Sequence, residues 1–224
     1  MRVKVLAKTV VVGRPDKWSW NYGKLGDQLM TDMDALAEMA GRNCYQSWDR
    51  PNDKTAPNRG YLANILNQGH HSVLEHSSVS FEVTGVSTML LGQLTRHRHL
   101  SFSVESARFV DRGASDMVFS NEITSRKGLA ESFDYVALQA IHAYDSAIAV
   151  LMRSGLSRKE ARQAARGILP QGIETKIVVT GNLRAWREVI SKRSSPGADV
   201  EIRELANLIL AELKVLAPNT FQDM

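Results

Sequence analysis

The chain has 224 residues, 43% hydrophobic and 23% charged, the balance of a globular protein and far from collagenous, low-complexity or disordered chains. Against 24 Asp and Glu stand 28 Lys and Arg, a formal charge of only +4, too small to demand nucleic acid. The one cysteine, Cys44, excludes an internal disulfide and a CxxC metal or redox pair and points to a reducing cytoplasm.

Val3, Val5 and Val10 to Val12, bounded by Gly13 and Pro15, predict a first strand or hairpin arm. Lys4 and Lys8 interrupt its apolar residues, so it does not read as a signal peptide, and no apolar run approaches the roughly 20 residues that span a membrane. A Trp/Gly-rich loop precedes a helix from Asp27 to about Ala40, with Gly41 as its stop. A polar loop from Ser47 to Thr55, with Pro51, leads to a helix around Asn58 to Asn67, stopped by Gly69.

Val79, Phe81 and Val83 alternate with Ser80, Glu82 and Thr84, the period of a half-buried strand that Gly85 should end. A helix from Val86 to about His97, a strand near Phe109 and Val110, and a loop from Asp111 to Arg126 follow. Phe133, Val136, Ala137, Ala140, Tyr144, Ile148 and Leu151 form the longest helical stripe, closed by Gly155. Ser157 caps a short helix through Ala165, which ends by Leu169 and Pro170. Ile177 to Thr180 reads as a strand and Asn182 to Ile190 as a helix. A last helix from Asp199 to Leu216 should bury Leu205, Leu208, Ile209, Leu213 and Leu216. No repeat or linker divides the chain, which reads as a single α+β domain over residues 1–224, helix-rich with a small, mostly antiparallel sheet.

No glycine pair has GxG spacing, so neither a dinucleotide fingerprint nor a Walker loop can form, and side chains must hold any phosphate. The densest supply is Arg96, His97, Arg98, His99, Ser101, Ser103, Ser106 and Arg108. Guanidinium forks match phosphate oxygens bidentately and hydroxyls add donors. Basic groups at a helix C-terminus also oppose the macrodipole, so the cluster could be merely structural. Four basic residues in a row, however, repel one another without an anionic partner.

His70, His71, Glu75 and His76 invite a metal, but the spacing departs from HxxEH and the ligands cannot share one helix face. Ser72 with Glu75 fits a capping box instead. Cys44, near the end of an apolar helix, reads as a buried structural thiol more readily than as a nucleophile. Arg166, Arg193 and Arg184 each read alone as surface charges, and Asn182 as a helix cap.

Arg96-His97-Arg98, seven residues, then Ser106 reproduces RHRx7S, and the chain resembles the flavin-dependent thymidylate synthases. GHxSVLEH at Gly69 to His76, ARxxLP at Ala165 to Pro170, GNxRAW at Gly181 to Trp186 and ADVEIR at Ala198 to Arg203 are similar to that family in the same order. The resemblance implies that family's fold and an enzyme converting dUMP to dTMP, with a methylene group from 5,10-methylenetetrahydrofolate and reducing power from NADPH through bound FAD. It implies a homotetramer with flavin sites shared between subunits and needing no cysteine; with the cytoplasm, no metal and no membrane read from the residues above, no nucleic-acid partner is expected either.

Carried over by position, the resemblance assigns FAD contacts to Ser72, Arg96, His97, Arg98, Asn182 and Arg184, with His70, Val104 and Glu188 beside them. It assigns dUMP to Gln93, Leu94, Thr95, Arg96, Val104, Glu105, Ser106, Ala107, Arg108, Arg166 and Arg193, with Ser106 and Arg108 on the phosphate. Arg193 is the implied catalytic residue, its guanidinium stabilising ionised N3 of the uracil. Val104 stands where the family has Glu or Gln, Glu105 where Leu is common, His71 for a frequent Glu, Glu188 for Asn or His, and Gly197 for a common His. These departures touch cofactor affinity more than reaction class. Two other readings are an RNA-binding patch, for which only Phe102 and Phe109 could stack bases, and a family member that oxidises NADPH without making dTMP.

Overall fold

The computed structural model describes residues 1–16, 18, 30–49, 52 and 54–224. Its contacts fall into two compact units. The first holds Met1–Arg2, Glu82–Arg96 and Phe102–Val178, the second Val3–Phe81, His97–Ser101 and Val179–Met224.

Strand β1 is Arg2–Lys8; Val10 to Val12 are not part of it. Helix α1, Asp32–Tyr45, starts where the Thr31 hydroxyl accepts the Asp34 amide, with Asp32 and Asp34 in the first turn. The expected start at 27–29, most of the Trp/Gly-rich loop, and Pro51 lie outside the described residues. Gly41 does not stop α1: a Cβ there would strike the Tyr61 hydroxyl, so the glycine serves close packing against the next helix. Helix α2 is Asn58–Asn67, and Gly69, at φ +69°, makes the turn after it.

β2 spans Ser78–Ser87, with Val79, Phe81 and Val83 buried in alternation. It passes through Gly85 rather than ending there. At φ +70°, and with a Cβ brought within 3.2 Å of the Met1 backbone, that position suits only glycine. Ser87 caps α3, Thr88–Leu94, a shorter helix than expected, and β3 follows at Ser101–Val104. Then come α4 (Asn121–Thr124), inside the segment expected to be a loop, α5 (Lys127–Arg153) and α6 (Arg158–Ala165), where Ser157 and Glu160 complete a capping box. β4 (Glu174–Asn182), α7 (Leu183–Arg193) and α8 (Val200–Leu216) end the chain, the two helices capped by Asn182 and Asp199. In α8 the core face is Ile202, Leu205, Ala206, Ile209 and Leu213, whereas Leu208 is exposed.

Among the described residues the strands pair in the order β1-β2-β4-β3, all antiparallel. Thr9 bonds Ser78, Ser80 bonds Thr180, Thr88 bonds Ile173, and the Glu105 amide bonds the Lys176 carbonyl. The fold class is thus the expected helix-rich α+β one.

In the second unit Phe81 meets Trp186 edge-on at 5.3 Å within a core that includes Leu62, Leu74, Leu183 and Phe221. A buried polar cluster lies in the same unit. Asp34 accepts from the Asn219 and Thr220 amides and, at 2.6 Å, from the Thr220 hydroxyl, while Asn58 donates to Glu38 and Glu38 pairs with Arg42. In the first unit α5 packs with α4 and α6. Of its side chains only Ala137 and Tyr144 are buried, and Phe133 and Val136 of the expected core stripe are exposed, Val136 by 64%. By length and composition alone this 27-residue helix could cross a membrane, but Asp134, His142 and Asp145 interrupt it and it holds no apolar run of about 20 residues.

Candidate active site

The sequence-predicted site residues divide between the two units. In the second unit, the residues after Gly69 form a short 3-10 turn, His71–Glu75, that leaves Ser72 exposed. The expected capping box is absent there. A single 3-10 turn begins at His70 with no side-chain cap, and the Glu75 carboxylate is held by Arg184 at 2.5 Å instead. His70 stacks on Tyr45, with ring centroids 5.9 Å apart and its Nδ1 3.1 Å from the Tyr45 hydroxyl.

Where β4 passes into α7, Gly181 lies hard against Leu100 and Trp186. Asn182 uses its carbonyl Oδ1 to accept the Ala185 amide at 2.8 Å, which turns its NH2 donors away from the cap. A pocket of about 240 Å³ is lined by Glu75, His99, Asn182, Arg184, Ala185 and Glu188. Lys192 hydrogen-bonds Glu188 at 2.5 Å and holds its carboxyl below the usual carboxylate range.

At the other end of α7, Arg193 Nε donates to His97 Nε2 at 2.9 Å. A guanidinium stays protonated, so His97 must accept at Nε2 and carry its own proton on Nδ1. The bond therefore fixes both the tautomer of His97 and the direction of the Arg193 fork. Arg98 is exposed in the same unit.

In the first unit α3 ends at Leu94. Thr95 turns its hydroxyl onto the Leu91 carbonyl, Arg96 is exposed and Gln93 half-buried. Leu94 itself is buried in the core, so only its backbone can meet a ligand. After β3 the chain turns sharply, the Ser106 carbonyl accepting both the Phe109 and Val110 amides. This turn stands where a strand was expected, because those two amides are spent locally and cannot join a ladder. The Ser106 hydroxyl accepts the Arg108 amide at 3.3 Å, and the buried Arg108 Nε has no hydrogen-bond partner among the described residues. An unpaired buried guanidinium nitrogen calls for an anion. Beside the turn a cleft of about 340 Å³ is lined by Val104, Glu105, Ala107, Arg112 and the exposed Arg166, among others.

Comparison with known proteins supplies the family. The family model described as thymidylate synthase complementing protein matches residues 27–219. A flavin-dependent thymidylate synthase of Mycolicibacterium vanbaalenii is 45% identical over 100% of this chain and 89% of its own length. The chain belongs to the flavin-dependent thymidylate synthase family. A probable flavin-dependent thymidylate synthase of Mycobacterium phage D29 is 44% identical over 100% of this chain and 96% of its own. The fold is that of thymidylate synthase X from Helicobacter pylori, solved with FAD and dUMP, at a TM-score of 0.69 and 22% identity over 100% and 98% of the two chains.

The donor sets suit the family's anionic ligands. Ser72, Asn182, Arg184, Arg98 and His99 could hold a flavin dinucleotide, and Ser106, Arg108 and Arg166 a nucleotide monophosphate. Among the described residues no three His, Cys, Asp or Glu side chains gather as metal ligands. Cys44 is exposed, not the buried thiol expected at the end of an apolar helix, because α1 continues past Gly41 and turns that last turn outward. Arg112 carries no signal in the sequence, and Ala185 none beyond its place in the GNxRAW segment; Glu75 reads there as the capping partner of Ser72, and His99 only as part of the basic run able to hold phosphate.

Proposed function

We propose that this chain converts dUMP to dTMP, using 5,10-methylenetetrahydrofolate as carbon donor, NADPH as reductant and FAD as bound cofactor. Family membership supports the reaction class. The observation that carries the substrate assignment is the turn at Ser106, where a hydroxyl and the partnerless buried Arg108 Nε stand together for a phosphate. In this reading Ser106, Ala107, Arg108 and Arg166 hold the phosphate end of dUMP. Gln93, the Leu94 backbone, Thr95, Arg96, Val104 and only the backbone of Glu105, whose carboxylate is turned to Arg112, line its path.

Arg193 is the catalytic residue. Its fork, aimed by His97, stabilises the negative charge that develops on the uracil ring when N3 loses its proton, which makes C5 electron-rich. Bound flavin supplies the two electrons, drawn from NADPH, that reduce the transferred methylene to a methyl group. Ser72, Arg98, Asn182 and Arg184, with Arg96 and His97, bind the flavin; His70, Val104 and Glu188 border it. Glu75 occupies Arg184 as an internal anion that a flavin phosphate would replace.

The whole chain acts as one synthase domain, a reading supported by a family match that runs through both units. The exposed apolar face of α5 suits burial against other copies in a homotetramer better than lipid, since polar and charged residues such as Lys127, Glu131, Asp134 and Asp145 interrupt the helix. No nucleic acid or membrane partner is needed, and the single cysteine suits the cytoplasm.

The test is the visible spectrum of purified protein incubated with FAD, desalted and titrated with dUMP. Retained flavin whose bands shift on adding dUMP, followed by dTMP formation with NADPH and the folate, is the expected result. A protein that keeps no flavin and binds RNA with steep salt dependence would return the arginine cluster to a nucleic-acid role. Oxidation of NADPH without dTMP would mark a member that has lost synthase activity.

A further inference from the structure

We infer that Arg112 is a positioning residue for nucleotide binding: by gripping Glu105 it staples shut the loop that presents Ser106 and Arg108. Arg112 is 2% exposed, on a segment with neither helix nor strand, where a charged side chain is rarely hidden without a task. One terminal nitrogen donates to the Glu105 carboxylate at 2.5 Å, and the other donates to the Glu174 carbonyl at the start of β4. Glu105 is also the last residue after β3 tied to the sheet, its amide bonding the Lys176 carbonyl at 2.9 Å. The next residues, Ser106 to Asp111, have no further rung. They are bounded by Glu105 on one side and Arg112 on the other, so the ion pair closes the loop at its neck.

The same pair explains the direction of the Glu105 side chain. Drawn inward to Arg112, its carboxylate is kept from the phosphate that Ser106 and Arg108 would hold, where a second negative charge would repel the ligand. Arg162 makes a separate clamp near the loop's far side, on the Phe109 carbonyl and Asp111, and fixes the outer turn rather than the neck. Loss of Arg112 would leave the half-buried Glu105 carboxylate unpaired, and it would turn outward toward the phosphate position. Replacing both partners by apolar groups of similar size removes that charge altogether.

This inference rests on the reading that the loop binds dUMP. Flavin-loaded wild type, Arg112→Met, Glu105→Gln and the double variant Glu105→Leu/Arg112→Met are titrated with dUMP through the flavin bands, with FAD affinity, KM and kcat measured alongside. Arg112→Met is expected to weaken dUMP binding and raise its KM about tenfold or more. Its kcat at saturating dUMP and its FAD affinity should stay within about threefold of wild type, and the double variant should recover most of the lost affinity. Glu105→Gln should weaken dUMP binding less than Arg112→Met, and it reads the same staple if Arg112→Met does not fold.

Unchanged dUMP affinity in both single variants would overturn the inference, as would a double variant no better than Arg112→Met. A loss shared equally by FAD affinity and kcat would reduce Arg112 to general stability and overturn it too. Wild-type protein that keeps flavin and shows no response to dUMP would instead remove the functional reading beneath it, before any variant is compared.

Discussion

Arg193 commits its Nε to His97 and so presents the rest of the fork in a fixed direction, the condition for a guanidinium to act on developing charge without reorganising. Arg193→Ala should therefore lower dTMP formation by about 10²- to 10³-fold while flavin is retained, as a coupled assay and the visible spectrum will check. Arg193 lies 96 residues from His97 and in none of the quoted motifs, so nothing in the RHRx7S motif announces the bond. What was legible at this scale was residue type: arginines, hydroxyls and an amide able to hold anions. What was not legible was pairing. Glu75 reads as the partner of Ser72 by spacing, yet it finds Arg184, 109 residues away, because a five-residue 3-10 turn offers no capped N-terminus to compete for it. Arg112 escapes notice for the same reason, since its partners are Glu105 and the Glu174 carbonyl of β4, 62 residues away, rather than its immediate neighbours in the chain.

Helix starts are legible at Ser157, Asn182 and Asp199 because caps are local, whereas the spacing places the starts of α1 and α3 at Asp27 and Val86 and misses the Thr31 and Ser87 caps. Thr31, Ser87, Ser157, Asn182 and Asp199 each accept a backbone amide from two or three residues ahead. Ser157 lies outside the proposed binding groups, so Ser157→Ala isolates this contribution. It should cost about 1 kcal/mol of stability in urea unfolding and leave dUMP affinity unchanged. Helix and strand ends are less legible where glycine reads as a stop. Gly41 is interior to α1 because its missing side chain admits Tyr61, and Gly85 is interior to β2 because its positive φ and the nearby Met1 backbone demand it. In both places glycine reports a close approach between segments distant in sequence, which periodicity within one segment does not record. Phe109 and Val110 have strand-forming residue types, but the Ser106 carbonyl takes both their amides, and Phe109 lies instead under the Lys159 ammonium at 4.9 Å.

At the scale of the whole molecule, the clearest mismatch between sequence pattern and burial is α5. Its apolar stripe has the period of a core helix, yet Phe133 and Val136 of that stripe are exposed, and a groove of about 630 Å³ lined by Met89, Met117, Phe119, Phe133 and Val136 lies along it. In the homotetramer proposed above, an apolar surface of this kind would be buried between copies. Val136→Asp should shift the species seen by light scattering from tetramer toward smaller forms while the subunit keeps its helical circular dichroism. A tetramer unchanged by that charge would place the assembly surface elsewhere.

The bond between Asp34 and Thr220 joins residues 186 positions apart, and Asn58 reaches Asn219 across 161. Contacts of such long range are reached only after the intervening chain has been ordered, and a high mean separation of contacting residues slows folding. The second unit should accordingly engage its Asp34 latch last, after the rate-limiting barrier. In a refolding experiment, weakening that latch would leave the folding arm of the chevron nearly unmoved and accelerate unfolding, so the polar cluster governs how long the native state persists rather than how quickly it is reached.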